Sequence, residues 1–431
     1  APQDTPAPRR PLAALYLRSH LSVLRHGDSF TPAAAAAATA LSVVGTKGHT
    51  QPGRTPAGCR CDHMAELPNN SILPSPPNTM RAVLASAFGP AAAVLSLAPD
   101  HPRPQLDPGS GKMLLRVQAC ALSPGDWRTL HGDADLVRNP GFPFVPAFDV
   151  SGTVVEVDPR QARPQFQVGD EVVATWSGIA LGGLAEYALA EPALAAAKPQ
   201  KLSAVEGAAL ANSAGHALRI SREKGRIRAG DRVLVLGGSG GVGTALLQFI
   251  KAAGASFVAA TSTQEGLLKS LGADMVIDYT RQNWWEVEEF RRDKLDVVFD
   301  LAEGAPAWRR AKSSGVLKTG MRGGRFVAVT MMNPRQPFHH VGHMLGFLSG
   351  ILWRWSWTRL ACAFVPIHVP VLSGVDAATL EAVLAEAEAG SLRVVLDPST
   401  PFPFNLDGVV RAFQLMDSMH AHGKVVVDLS A

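Results

Sequence analysis

Gly238, Gly240 and Gly243 stand at the spacing G-x-G-x-x-G, and Ser239, Gly241 and Val242 complete a loop suited to holding phosphates. The spacing has a physical reason. Gly238 is expected to make the tight turn, Gly240 to let a pyrophosphate approach the backbone, and Gly243 to let a helix pack close to a strand. The flanks fit that reading. Val233–Leu236 is a short apolar run of buried-strand type, and Val242, Ala245, Leu246, Phe249 and Ile250 follow at helical spacing. Free N–H groups and the dipole at the start of that helix would hold the anion.

The next strand, Ser256–Ala260, runs into Thr261-Ser262-Thr263. A NAD site places an acid about 20 residues past the glycines, on the ribose 2′-OH. Hydroxyls stand here instead and leave room for a 2′-phosphate, so NADPH is expected rather than NADH. Lys269 either pairs with that phosphate or is a solvated helix lysine. Tyr279, which follows the next strand, is counted with the cofactor contacts. Asp300, Leu301 and Gly304 follow a strand at its carboxyl end, and Thr330 ends a later one. Ligands sit at that edge in such sheets, so these residues are expected near a nicotinamide ribose.

Elements that must position these residues follow from the rest of the chain. It has 431 residues, 46% hydrophobic and 18% charged, as in a globular protein with a large core. A net charge of +4 gives no basic stripe for a nucleic acid. Its four cysteines form neither a disulfide framework nor a Cys-x-x-Cys zinc knuckle, which fits a reducing compartment.

Residues 1–79 differ in composition. They hold the run Ala33–Ala38, many prolines, and Arg9, Arg10, Arg18, Arg25, Arg54 and Arg60 against few acids. Such a leader is expected to be an organelle transit peptide, for a mitochondrion before a chloroplast, or else a disordered extension of a cytoplasmic protein. The chain starts at Ala1, as a processed or partial chain would, and Met80 is the expected start of the folded part.

From Met80 to residue 205, Met80–Ala85, Met113–Leu122, Phe148–Val157, Gly169–Ala174 and Gly182–Ala188 read as short strands with Gly/Pro turns. This predicts a compact β-rich domain. Residues 204–224 turn helical. Strands then alternate with helices: Val233–Leu236, Phe257–Ala260, Met275–Ile277, Val297–Phe299 and Phe326–Val329. That alternation predicts a doubly wound parallel sheet over 206–370. Residues 371–431 return to the first domain, through a helix capped by Asp376, a helix Val409–Met419 and a strand Lys424–Asp428.

Several local signatures occur in a distinctive order: Ser123-Pro-Gly-Asp126, Asp149-Val-Ser-Gly152, Gly169-Asp-Glu-Val172, the glycine loop, Leu271–Tyr279 and Gly423-Lys-Val-Val-Val. Over residues 80–431 the chain resembles the medium-chain dehydrogenase/reductase superfamily, in its zinc-independent quinone oxidoreductase branch. The resemblance implies a GroES-like β-rich catalytic domain beside a Rossmann domain, and a homodimer. It implies reduction of a quinone or an α,β-unsaturated carbonyl by direct hydride transfer from NADPH. Zinc-dependent members carry a Cys where Ser123 stands and a His-Glu pair where Phe148-Asp149 stands, so no metal is expected. His339, His340 and His343 have no Cys or acid beside them and are read as loop histidines.

The resemblance also brings catalytic candidates. Ser123 is either a hydrogen-bond donor to substrate or cofactor, or a turn serine. Asp126 either orients a neighbour or caps a helix. Arg128 either offers charge to a developing enolate or quinol anion, or is solvated. His216, in the segment with Asn212 that links the domains, is either a proton donor or structural. Two alternatives stand beside the main reading. One is a trans-2-enoyl thioester reductase, a branch that uses a tyrosine this chain lacks at the matching position. The other is a non-catalytic NADPH-binding accessory subunit.

Met344–Ile367 is aromatic and apolar, with Trp353, Trp355 and Trp357 alternating. Arg354 and Arg359 inside it exclude a membrane span. It is expected to line an acceptor pocket and lead to a strand used in dimer pairing, to touch a membrane surface near a lipid-soluble quinone, or to be plain core.

Overall fold

The computed structural model describes residues 77–133, 140–147, 149–175, 182–320, 323–330, 338–339, 341–371 and 374–430. The leader-like stretch lies outside them apart from residues 77–79, as do Phe148 and His340.

The first part of the chain folds as strands. These are β1 (Thr79–Ala85), β2 (Leu95–Pro102), β3 (Met113–Leu122), β4 (Asp149–Val157), β5 (Glu171–Ala174), β6 (Tyr187–Ala190) and β7 (Ala195–Ala197). Two short helices interrupt them, α1 (Ala91–Val94) and α2 (Pro124–His131). β1 and β2 form an antiparallel hairpin over a stretch the sequence suggested was only a connection. Pro99, Asp100, His101 and Pro102 blur the alternation that would have marked β2.

Helix α3 (Ala204–Arg219) leads out of this region. Ser203 and Glu206 form a reciprocal capping box at its start, each side chain accepting the other's backbone N–H. Its small residues have a packing reason. Ala208 and Ala209 pack with Ala119, Ala121 and Val426 of the first sheet. A Cβ on Gly215 would lie 2.6 Å from Val375 Cγ1. Larger side chains would hold the helix away from both neighbours.

A six-stranded parallel sheet follows, of order β10-β9-β8-β11-β12-β13. Its strands are β8 (Arg232–Leu236), β9 (Phe257–Thr261), β10 (Met275–Ile277), β11 (Val297–Asp300), β12 (Arg325–Ala328) and β13 (Ile367–Pro370). Helices α4 (Gly241–Ala252), α5 (Glu265–Ser270), α6 (Glu288–Arg292), α7 (Ala305–Ser313) and α8 (Val341–Leu360) connect them. Val233 to Leu236 on the central strand are fully buried, as a strand covered on both faces requires. Each such side chain contributes about 1.5–3 kcal/mol by leaving water.

α9 (Ala377–Glu388) starts at an Asp376 cap whose carboxylate accepts the Thr379 N–H at 2.9 Å. Its Leu380, Val383 and Leu384 pack in the cluster with Val233, Val235 and Leu246. The chain then rejoins the first sheet through β14 (Phe402–Pro403), α10 (Leu406–Ser418) and β15 (Val425–Asp428). β15 pairs with β3, so the order there is β14-β15-β3-β4-β5-β7, with β6 also on β3. The architecture is the mixed α/β one expected, an antiparallel β-rich unit beside a doubly wound parallel sheet.

Candidate active site

A cleft of about 720 Å³ runs from the glycine loop to helix α8. Gly240, Gly241, Val242 and Gly243 line one part of it, and Arg128, Leu301, Thr330 and Lys424 another. Met344, Phe347, Leu348, Ile351 and Arg354 of α8 close the far side. Their spacing places them along one face of that helix.

In the loop, the left-handed residue is Gly237, at φ +80, and not Gly238. Gly238 is needed for space: a Cβ there would lie 2.8 Å from Ala260 Cβ and 3.0 Å from Leu268 Cδ1. At Gly243 a Cβ would lie 2.5 Å from the Gly237 carbonyl oxygen. At Gly240 it would meet no protein atom nearer than 3.8 Å. Gly240 caps α4 with no side chain of its own, so the first N–H groups of α4 face the cleft without a competing anion. These residues fit a dinucleotide pyrophosphate.

Beyond the loop the expected contacts divide. Thr261 is buried, and its hydroxyl accepts the Gly237 N–H at 2.9 Å, so it shapes the loop rather than facing a ribose. Ser262 is buried and accepts the Gln264 N–H at 2.9 Å, while Thr263 is exposed. The Lys269 ammonium donates to the Asp274 carbonyl, five residues on. Tyr279 is 51% exposed after β10. The Asp300 carboxylate is engaged by its own backbone turn. Its carboxylate accepts the N–H groups of Ala302, Glu303 and Gly304 at 3.1, 2.8 and 2.7 Å. It thereby shapes the turn that presents Leu301 and Ala302 to the cleft. Burial pushes its carboxyl up to about 6.

Among the catalytic candidates, Ser123 and Asp126 bind each other. The Ser123 N–H and Oγ–H donate to Asp126 Oδ2 at 2.7 and 2.8 Å, which fixes the start of α2. Asp126 therefore caps the helix. Trp127 Nε1 donates to Asp417 on α10 at 2.8 Å, anchoring the turn that carries Arg128 to the cleft. His216 does not line the cleft; Ser213, nearly one turn earlier on α3, does. Burial and the Arg219 charge hold the His216 imidazole below its ordinary value.

Sequence reasoning missed the residue at the centre of this arrangement, Lys424. It is 5% exposed. Its ammonium donates to the Leu122 carbonyl at 2.8 Å and lies 3.6 Å from Asp149 Oδ2. Asp149 is fully buried and accepts the Thr175 hydroxyl at 2.8 Å. Burial raises the Asp149 carboxyl, opposed by Lys424, Thr175 and the Asn212 backbone. A Cβ on Gly241 would lie 2.7 Å from Lys424 Cδ, so the lysine stem runs under the glycine loop. The motif Gly423-Lys-Val-Val-Val was legible, but the lysine's partners lie far away in sequence.

Burial and then the Asp149 charge push Asp126 from 3.8 up to about 7. A carboxyl with a raised folded value binds its proton more tightly in the fold than in the unfolded chain. Its contribution favours folding below the unfolded value and fades as pH rises through about 7. The melting temperature of the protein should therefore fall more between pH 5 and 8 than that of Asp126→Asn. Asp300 acts in the same direction in both proteins and drops out of the comparison. Equal pH slopes would contradict this assignment.

Among the described residues no three His, Cys, Asp or Glu side chains converge as a metal ion would require. The zinc-binding dehydrogenase family model matches residues 271–427, and the alcohol dehydrogenase GroES-like model matches 109–200. With the parallel sheet, the larger antiparallel sheet and the cleft between glycine loop and α2, these matches define a dehydrogenase/reductase. The chain belongs to the medium-chain dehydrogenase/reductase superfamily, in its zinc-independent quinone oxidoreductase branch.

It is 35% identical over 328 residues to the tomato 2-methylene-furan-3-one reductase, covering 73% of this chain and 71% of that one. It is 34% identical over 365 residues to the Arabidopsis thaliana chloroplastic NADPH-dependent alkenal/one oxidoreductase, covering 81% and 80%. The fold is also that of the quinone oxidoreductase from Coxiella burnetii, with TM-score 0.64, 24% identity and coverage of 81% and 99%.

Proposed function

We propose that this protein is an NADPH-dependent, zinc-independent oxidoreductase that reduces a quinone or an α,β-unsaturated carbonyl compound. One observation carries the reading: a single cleft joins the open phosphate loop at Gly240 to an apolar chamber bordered by two cations, Arg128 and Lys424. The relatives' names agree, an alkenal/one oxidoreductase that uses NADPH and a furanone reductase.

When bound, NADPH would supply one hydride, the two-electron equivalent that the acceptor takes up. The chain does the rest. The N–H groups at the start of α4 hold the pyrophosphate. Leu301, Ala302 and Thr330 line the cleft where the nicotinamide would lie, and the apolar face of α8 would exclude water from the acceptor. Negative charge develops on the acceptor oxygen as hydride arrives. Arg128, which lines the cleft, is placed to stabilise that anion. A proton from solvent at the cleft mouth then completes the reduction. Neither Tyr187 nor Tyr279 lines the cleft, which weighs against a thioester reductase that needs a tyrosine donor.

Purified protein with NADPH and a metal chelator should reduce a short enone or an ortho-quinone. An enoyl thioester as the sole acceptor would favour the thioester reductase. Tight NADPH binding with no turnover would favour the accessory subunit.

Two finer statements about partners and one about location belong to the same reading. β13 ends the parallel sheet, and no strand among the described residues covers its outer edge, which supports pairing with a second copy. No described helix is long and apolar enough to cross a membrane. α8 nevertheless exposes Leu345, Leu352 and Trp353 at 60, 63 and 68%, with Arg359 beside them, which supports contact with a lipid surface. Sedimentation should show a dimer that pellets with anionic vesicles; a monomer, or one left in the supernatant, would remove the corresponding statement. The mitochondrial destination gains no support from the relatives, one of which is named chloroplastic; we infer a plastid as the organelle to test first, by fusing residues 1–79 to a fluorescent reporter.

A further inference from the structure

At the α8 end of the cleft, polar atoms stand without partners. His368 on β13 is 1% exposed, and neither ring nitrogen has a hydrogen-bond partner. Arg354 Nε on α8 is also buried and unpartnered. Both residues line the cleft. Their proximity is built into the packing. Thr358, one turn beyond Arg354, accepts the His368 backbone N–H at 3.2 Å and donates to the Arg354 carbonyl at 2.7 Å.

The imidazole is held in place by rings. Trp308 meets it edge-on at 4.9 Å between centroids, and Phe326 stacks on it at 6.0 Å. Burial, then the charges of Arg354, Arg359 and Lys312, push its pKa down to about 3. It is therefore neutral, with one nitrogen to donate and one to accept. The guanidinium stays charged.

The charges here have one sign. The sequence holds no Asp or Glu between Glu303 and Asp376, a stretch that supplies α7, β12, α8 and β13. No acid in that stretch can pair with Arg354. A half-buried guanidinium with no counter-ion is costly. A ligand that brings an anion removes the cost. The sheet order places β13 beyond β11 and β12, on the opposite side of β8 from β9 and Ser262. This end of the cleft therefore lies away from the cofactor's 2′-phosphate. Phe347 and Ile351, on the same face of α8 as Arg354, add apolar lining to the cleft.

We propose that Arg354 and His368 form a carboxylate-binding subsite, and that the acceptor is an amphipathic enone or enal with a carboxylate remote from its double bond. The guanidinium fork takes the two carboxylate oxygens and the imidazole N–H adds a third bond. The inference rests on the enone-reductase reading and names its substrate class. The reduced bond is the C=C: hydride adds to the β carbon, a proton to the α carbon, and NADPH becomes NADP⁺.

Two measurements test it. The first compares a twelve-carbon fatty acid carrying an enal at its far end with its methyl ester. The acid should have a kcat/KM roughly 10–100-fold higher, seen mainly in KM, as a charge-assisted pair would give. Arg354→Met should bring the two within about twofold, and Arg354→Lys should keep part of the preference. Equal use of acid and ester by the unaltered protein, or preference for an uncharged quinone over both, overturns the inference without any variant. The second is calorimetric binding of dodecanoate against dodecanol to the protein with NADPH. Tighter dodecanoate binding that Arg354→Met abolishes supports the subsite even if no enone is reduced, and in that case only the reductase reading fails. Equal binding of the two overturns the subsite whether or not enones are reduced.

Discussion

Lys424→Met should destabilise the protein by about 3–5 kcal/mol, the cost of leaving a buried charge without its partner. Asp149 is fully buried, and Lys424 is the cation that opposes the rise in its carboxyl pKa. Thr175 supplies one hydrogen bond to that carboxylate and no charge. Asp126 adds a second carboxyl whose raised value already reflects the Asp149 charge. Removing the ammonium therefore exposes two acids to each other in a dry site. Asp149→Asn in the same background should recover most of the loss, because the amide needs no counter-ion. Urea unfolding of the two single variants and the double variant gives the coupling directly. Additive losses would mean that the 3.6 Å pair contributes nothing, and that Lys424 matters only through its stem under the glycine loop.

Gly240→Ala and Gly243→Ala should separate binding from folding. A methyl group at Gly240 finds no protein atom nearer than 3.8 Å, and the backbone there is extended at φ −72, which alanine adopts freely. Stability should stay within about 0.5 kcal/mol. The methyl group would occupy the space reserved for the pyrophosphate, so NADPH affinity should fall at least tenfold, about 1.4 kcal/mol. At Gly243 the methyl group would meet two backbone carbonyls, at 2.5 and 2.7 Å. Strand and helix must part, and both melting temperature and NADPH affinity should fall. Thermal melts with and without NADPH distinguish the cases. Unchanged affinity in Gly240→Ala would show that the phosphates lie elsewhere.

These two glycines show what the sequence makes legible. Spacing reveals a strand, a loop and a helix, because those are local and periodic. Val233–Leu236, Met113–Leu122 and the Asp376 cap were readable for the same reason. The spacing could not say that Gly237, one position early, makes the turn, since any of the adjacent glycines can adopt φ +80. Nor could it show that the Thr261 hydroxyl faces the loop rather than a ribose. Lys424 escaped notice because its partner Leu122 is 302 residues away. Arg354 was legible only as a charge inside an apolar stretch, and nothing in the sequence singled out His368. Only the packing of α8 on β13, through Thr358, brings them to one place.

The docking of Gly423 onto the glycine loop bears on the order in which the chain can mature. Its N–H donates to the Ser239 carbonyl at 2.8 Å, and the next residues join β3 as β15. A chain still emerging from the ribosome has its parallel sheet and its phosphate loop synthesised well before residue 423. It lacks the strand that completes the first sheet, the lysine that neutralises Asp149 and the hydrogen bond to Ser239. A nascent chain therefore carries Asp149 without its cation and a loop without its brace until residues 423–428 are made. Coenzyme capture should accordingly follow the docking of β15 onto β3.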